Sequence, residues 1–336
     1  MAFVIDGAEW QFDGWSAEEI ETALGRLLDR VTIAQGRRER VWMGDDLQTR
    51  SVLAGFSIWD LWSPQCPIDL APELSQELAA MLGRARLYLD EDVDAWPEGM
   101  AEHTEIAISG LPASENPDVA WAHHSVRSGH AVALLSLRRE GLHPTVTASG
   151  SADLHWVIDE PGHRAFFRAA IDVEHDCEST LERLAPHAFP DLCFIDGIWR
   201  GLSDFVGGYL GVRERLRGLL AVLDDHGRWA FTAPPPNIRE EDGQPDESGD
   251  PSDRLIQQRF KTHGVDLAPE KSNVKRDTTC RVARERVLAG RTLYCEWHAR
   301  LRGDQNRVHL HGPVSESGGK LIVAIFHSHL PLPGDH

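Results

Sequence analysis

The sequence predicts an α+β protein in two parts. A large mixed N-terminal region carries an antiparallel β-meander flanked by helices. A small C-terminal domain has two helices followed by an antiparallel sheet. Three observations lead there. Apolar residues switch between helical spacing and strand alternation along the 336 residues. A stretch at 233–253, rich in Pro, Gly and acids, holds one large apolar residue, Ile238, and reads as a mobile linker. Charge is also split: residues 251–336 carry 14 Lys+Arg against 9 Asp+Glu, and the preceding 250 carry 20 against 44. The expected boundaries are a mixed subdomain at 1–112, the meander with helices at 113–232, the linker at 233–253 and a basic, histidine-rich domain at 254–336.

In chain order, Phe3–Ile5 reads as a short strand. Ser16 and Glu19 form a capping box. Behind it Ile20, Leu24, Leu27 and Leu28 recur at helical spacing to about Arg30. Pro72 opens a second helix, whose stripe is Leu74, Leu78, Met81 and Leu82 and which closes near Gly83. Asp90–Pro97 is an acidic turn. Ala131–Leu137, Thr145–Ala148, Leu154–Ile158 and Ala165–Val173 are β-rich runs between Gly, Pro, Asp and His clusters, giving the meander. Helices resume at Cys177–Leu184 with Asp176 as N-cap, at about Gly197–Phe205, and at Val212–Leu223, where Asp224–Gly227 stops the last. Past the linker come a helix at Asp253–Lys261 and a basic helix over about Lys275–Leu288. Strands follow at Thr292–Leu301, Arg307–His311 and Lys320–His327.

Composition narrows the function classes. No apolar run reaches the ~18–20 residues of a membrane span, so no membrane partner is expected. The N-terminus lacks a basic region before an apolar one, so no signal peptide is expected. Five widely spaced cysteines without a CxxC pair suit a reducing cytoplasm, not a disulfide framework. The net charge of −19 disfavours simple coating of nucleic acid by the whole chain. Phosphate-loop, dinucleotide-binding, nucleophile-elbow and HExxH motifs are absent, which argues against a nucleotide-driven motor or a standard hydrolase.

Four residue sets remain as candidate chemistry. His298, His309, His311, His327 and His329 lie on the three C-terminal strands, where alternation puts His309 with His311 on one face. Imidazoles gathered there would serve as zinc ligands or as general acids and bases. Arg276, Arg281, Arg284, Arg300, Arg302 and Arg307 form a basic surface that attracts phosphate, or else a solvated helix face or a docking face for the acidic region. Asp159, Asp172 and Glu174 on neighbouring β-runs are a candidate magnesium set. His123 and His124, with Arg127 and His130, form a site or a satisfied core group. Ten of the eleven tryptophans precede the linker, which suggests a large core or a protein-binding surface.

At the C-terminus, Trp297–Leu301, then Asn306–Leu310, then Gly319–Phe326 resemble the strand order of RelE/HigB-type toxins. That resemblance covers about 60 residues. It implies helices before an antiparallel sheet, and messenger RNA cleavage by Arg, Lys, His or Tyr side chains, with Arg300, Arg302, Arg307 and His309 as the positions concerned. Segments such as Ala188–Phe194 and Asp196–Arg200 are similar to those of bacterial proteins found beside phage-defence or mobile-element genes. Three functions are therefore expected. The first is a non-catalytic adaptor that binds a protein through its acidic, Trp-rich region and RNA or DNA through its C-terminal domain. The second is an RNA-cleaving effector restrained by the acidic region. The third is a metal-dependent nuclease.

Overall fold

In the computed structural model the described residues are 2–88, 100, 103–234, 249–303 and 305–334. The acidic turn expected at Asp90–Pro97 and most of the expected linker lie outside them. The chain divides into two units, Met1–Asp176 and Cys177–His336. The α+β class is as the sequence predicts.

Phe3, Val4 and Ile5 are completely buried, as expected of a central strand covered on both faces. They form β1 (Ala2–Ile5). Then follow α1 (Ala17–Gly36), β2 (Arg40–Met43), the small hairpin β3 (Ser51–Leu53) and β4 (Phe56–Ser57), α2 (Pro72–Leu82), β5 (Arg86–Leu87), β6 (Glu105–Ile108) and β7 (Ser114–Glu115). The unit closes with α3 (Pro117–Arg127), β8 (Val132–Leu135), β9 (Gly141–Thr147), β10 (Gly150–Val157) and α4 (Glu160–Val173). One mixed sheet runs β5-β2-β1-β8-β10-β9-β6-β7. β1 is parallel to β2 and β8, while β9 pairs antiparallel with β10 and β6. Val4 faces Trp121 of α3 and Trp156. Phe3 faces Phe166 and Phe167 of α4.

The run Ala165–Val173, expected as a strand, is therefore helical. Phe166, Phe167, Ala170 and Ile171 are buried at helical spacing, Pro161 sits in the first turn, and the Asp159 carboxylate accepts from Gly162 N–H.

The second unit begins with α5 (Glu178–Ala188), capped at Cys177 rather than at Asp176, and β11 (Leu192–Phe194). A 3-10 helix occupies Ile198–Asp204. α6 (Arg213–Ala230) runs straight through the expected stop at Asp224–Gly227, because Asp224 is buried and accepts from Asp191 N–H, while Gly227 lets the helix approach Leu321. α7 (Asp253–Lys261), β12 (Leu267–Pro269), α8 (Ser272–Arg276) and α9 (Thr278–Ala283) follow. The chain ends in β13 (Glu285–Leu288), β14 (Arg291–Tyr294), β15 (Trp297–Arg302), β16 (Gln305–His311) and β17 (Leu321–His327). The sheet order is β11-β17-β16-β15-β12. β11 lies parallel to β17, and the other neighbours are antiparallel.

Two expectations are corrected here. The boundary between units falls at 176/177, and residues 177–232 share a core with the C-terminal strands. Arg259 of α7 donates to the carbonyls of Trp229, Ala230 and Thr232 at the end of α6, so both ends of the 233–253 segment are tied inside one unit. The basic helix expected over Lys275–Leu288 is instead α8, α9 and the strand β13. Asp277 caps α9 by accepting from Cys280 N–H, and Ala289 and Gly290, both at positive φ, turn β13 into β14.

Candidate functional site

β15 and β16 pair so that His298 faces His309 and Arg300 faces Arg307. Residues directly opposite, and two apart along a strand, share one face of a sheet. These four side chains therefore share a face, while Trp297, Ala299, Val308 and Leu310 take the other and are buried. His327 of β17 lies opposite Arg307. Ala268 of β12 pairs with His298, which brings the following Glu270 to the cluster.

Glu270 is the centre. Arg284, fully buried, donates from Nε to Glu270 Oε1 at 2.8 Å and from Nη1 to the carbonyls of Cys280 and Pro331. His298 Nδ1 lies 3.4 Å and His309 Nδ1 3.6 Å from the same Oε1. Burial alone would raise the Glu270 carboxyl. Contacts from His298 and Arg284 outweigh it and hold the group at about 2. Burial pushes His309 well below the usual imidazole value, so that ring is neutral. A cavity of about 260 Å³ opens beside the cluster, lined among others by Glu270, Lys271, His298, Arg300 and Arg307.

The arrangement offers two kinds of chemistry. Glu270 lies beside His298 Nδ1 at 3.4 Å and leaves Nε2 for a ligand, so the imidazole can act as an acid or base. Two imidazoles and a carboxylate also form a metal-ligand set.

Of the residues singled out in the sequence, His298, His309, Arg300 and Arg307 come together. Arg302 is exposed two positions beyond Arg300, paired with Gln305. His311 is half-buried, its Nδ1 2.8 Å from the Gly312 carbonyl oxygen, outside the cluster. Arg276 and Arg281 are exposed on the short helices, and Arg281 pairs with Glu285 at 2.9 Å. Arg284 is corrected from a surface nucleic-acid contact to the buried partner of Glu270. With the boundary at 177 the second unit holds 21 basic and 23 acidic residues, so as a whole it is not basic.

Asp159, Asp172 and Glu174 do not form a magnesium set. Asp159 and Glu174 cap opposite ends of the 14-residue α4, about 20 Å apart at 1.5 Å per residue. His123 is buried between Thr145 and Thr147 and, with His124, belongs to the core of the first unit. Of the tryptophans, Trp10 and Trp156 are fully buried, whereas Trp59 is exposed.

No family model, curated protein or solved structure matches the chain. Among the described residues no helix is long and apolar enough to cross a membrane.

Sequence reading passed over Glu270, whose only local signal is an acid directly after a short strand. It also passed over Asp6 and Asp118 of the first unit. Asp6 follows β1 and accepts from Trp156 Nε1 at 2.9 Å. Asp118 accepts from Gly7 N–H at 2.9 Å and Tyr88 Oη–H at 3.1 Å.

Proposed function

We propose that the chain is a cytoplasmic, nucleic-acid-directed effector of a bacterial defence or mobile-element system, whose second unit acts on RNA phosphodiesters. The observation that carries this reading is the sharing of one cavity by Arg300, Arg307 and His298, with Glu270 beside the imidazole. The arginines meet phosphate charge, and His298 exchanges a proton with the ribose through Nε2. The resemblance to RelE/HigB-type toxins implies the same pair of roles. The acidic first unit engages a protein partner.

The test is cleavage of labelled RNA by the full chain. His298→Asn should lower the rate by about 10²–10⁴-fold, the scale of a lost general acid or base. Arg300→Ala should weaken binding and reduce the salt dependence by about one phosphate contact. Cleavage that survives both substitutions overturns the proposal.

The adaptor reading is favoured by one observation: no hydrogen bond holds His298 Nδ1 among the described residues, so the ring lacks the fixed partner of a general base. RNA that is bound tightly but left intact by the unsubstituted chain would select it.

A further inference from the structure

We infer that Glu270, His298 and His309 bind a divalent transition ion of the zinc class, with one coordination position open to the cavity lined by Arg300 and Arg307. The inference deepens the proposed function, and its catalytic meaning rests on that reading. The ion site itself is independent of RNA.

Spacing is the first argument. Donors held at about 2.0–2.1 Å around a tetrahedral ion lie about 3.3–3.5 Å from one another. Glu270 Oε1 stands 3.4 Å from His298 Nδ1 and 3.6 Å from His309 Nδ1. These separations exceed the ~2.7–3.2 Å of a made hydrogen bond. One ligand atom from each residue lies within 4.8 Å of the other two.

The second argument is the state of the donors. His309 is 0% exposed, and neither of its ring nitrogens has a hydrogen-bond partner among the described residues; His298 Nδ1 also lacks one. Buried polar atoms are nearly always satisfied, and an ion would satisfy the two Nδ1 atoms together.

The surroundings fit as well. Ligating carboxylates are themselves held by outer partners, and Arg284 holds Glu270. Its charge opposes the ion, so binding should be weaker than at a structural zinc site. With Nδ1 on the ion, His298 would keep its proton on Nε2 and serve as a hydrogen-bond donor to phosphate, and the ribose proton would pass to water at the open position instead. The open position would take a water or a phosphate oxygen, where zinc acts as a Lewis acid.

The experiment is titration of the full chain with Co²⁺, followed by the visible bands of four-coordinate cobalt, with Zn²⁺ as competitor. One equivalent should bind and be displaced by Zn²⁺. His309→Gln and Glu270→Gln should each abolish the bands, and His311→Ala should leave them unchanged. Because buried variants can fail to fold, the unsubstituted protein is also crystallised with Zn²⁺. An anomalous peak between the three residues supports the site, and a peak only elsewhere overturns it. Cobalt binding without RNA binding or cleavage upholds the site and removes the proposed function. RNA cleavage without cobalt binding does the reverse.

Discussion

Glu270 and Asp118 show how the environment decides what a buried carboxyl does. Glu270 has Arg284 against one oxygen and stays ionised. Asp118 is 1% exposed, and its hydrogen bonds from Gly7 N–H and Tyr88 do not offset its burial. Burial, then the charge of Asp6, pushes it up to about 7 from an ordinary value of 3.8. The folded first unit therefore holds the Asp118 proton more tightly than the unfolded chain does. Its contribution to stability is full below about pH 4 and is lost as pH rises toward 7, at up to about 1.4 kcal/mol per pH unit. Asp118→Asn mimics the protonated form and should flatten this decline. Urea unfolding of both proteins from pH 5 to 8 measures it, and equal slopes would refute the assignment.

At the scale of elements, local signals were legible and long-range ones were not. The Ser16–Glu19 capping box is present as read, with Ser16 N–H donating to Glu19 at 2.7 Å. Pro72 opens α2. α4 was misread because Phe166 and Phe167 add to an apolar run that satisfies strand and helix periods alike, and packing against Phe3 decides between them. The basic stretch after Lys275 was misread because Arg284 serves a tertiary pair with Glu270, which no spacing reveals. The face shared by His298, His309, Arg300 and Arg307 was legible in its residues, since alternation is local, but Glu270 arrives only through the pairing of β12 with β15. The β13–β14 turn carries a checkable cost. Ala289 sits at φ 48°, a region that favours glycine. Ala289→Gly should relieve about 1 kcal/mol of that strain, less the entropy glycine adds to the unfolded chain. A rise in the thermal midpoint of the second unit is expected, and a clear fall would show that the turn is unstrained.

For the whole molecule, composition and contact place the boundary differently, and a fragment experiment decides which governs folding. Composition isolates 254–336. Contacts join 177–232 to it: Leu192, Cys193 and Phe194 of β11 pair with Leu321, Ile322 and Val323 of β17. α6 buries Leu216, Leu220 and Leu223, and Phe231 packs edge-on against Trp297. Cutting at 254 would strip that apolar cover and leave β17, completely buried at 321–323, as an unpaired edge. Each large aliphatic side chain uncovered forfeits about 1.5–3 kcal/mol, so a few exceed the ~5–15 kcal/mol that holds a domain together. Fragment 177–336 is expected to unfold cooperatively in urea, and 254–336 to show no cooperative transition or to aggregate. A cooperative transition in 254–336 would mean that its histidine-bearing sheet is self-sufficient, and that β11 and α6 are additions to it rather than part of its core.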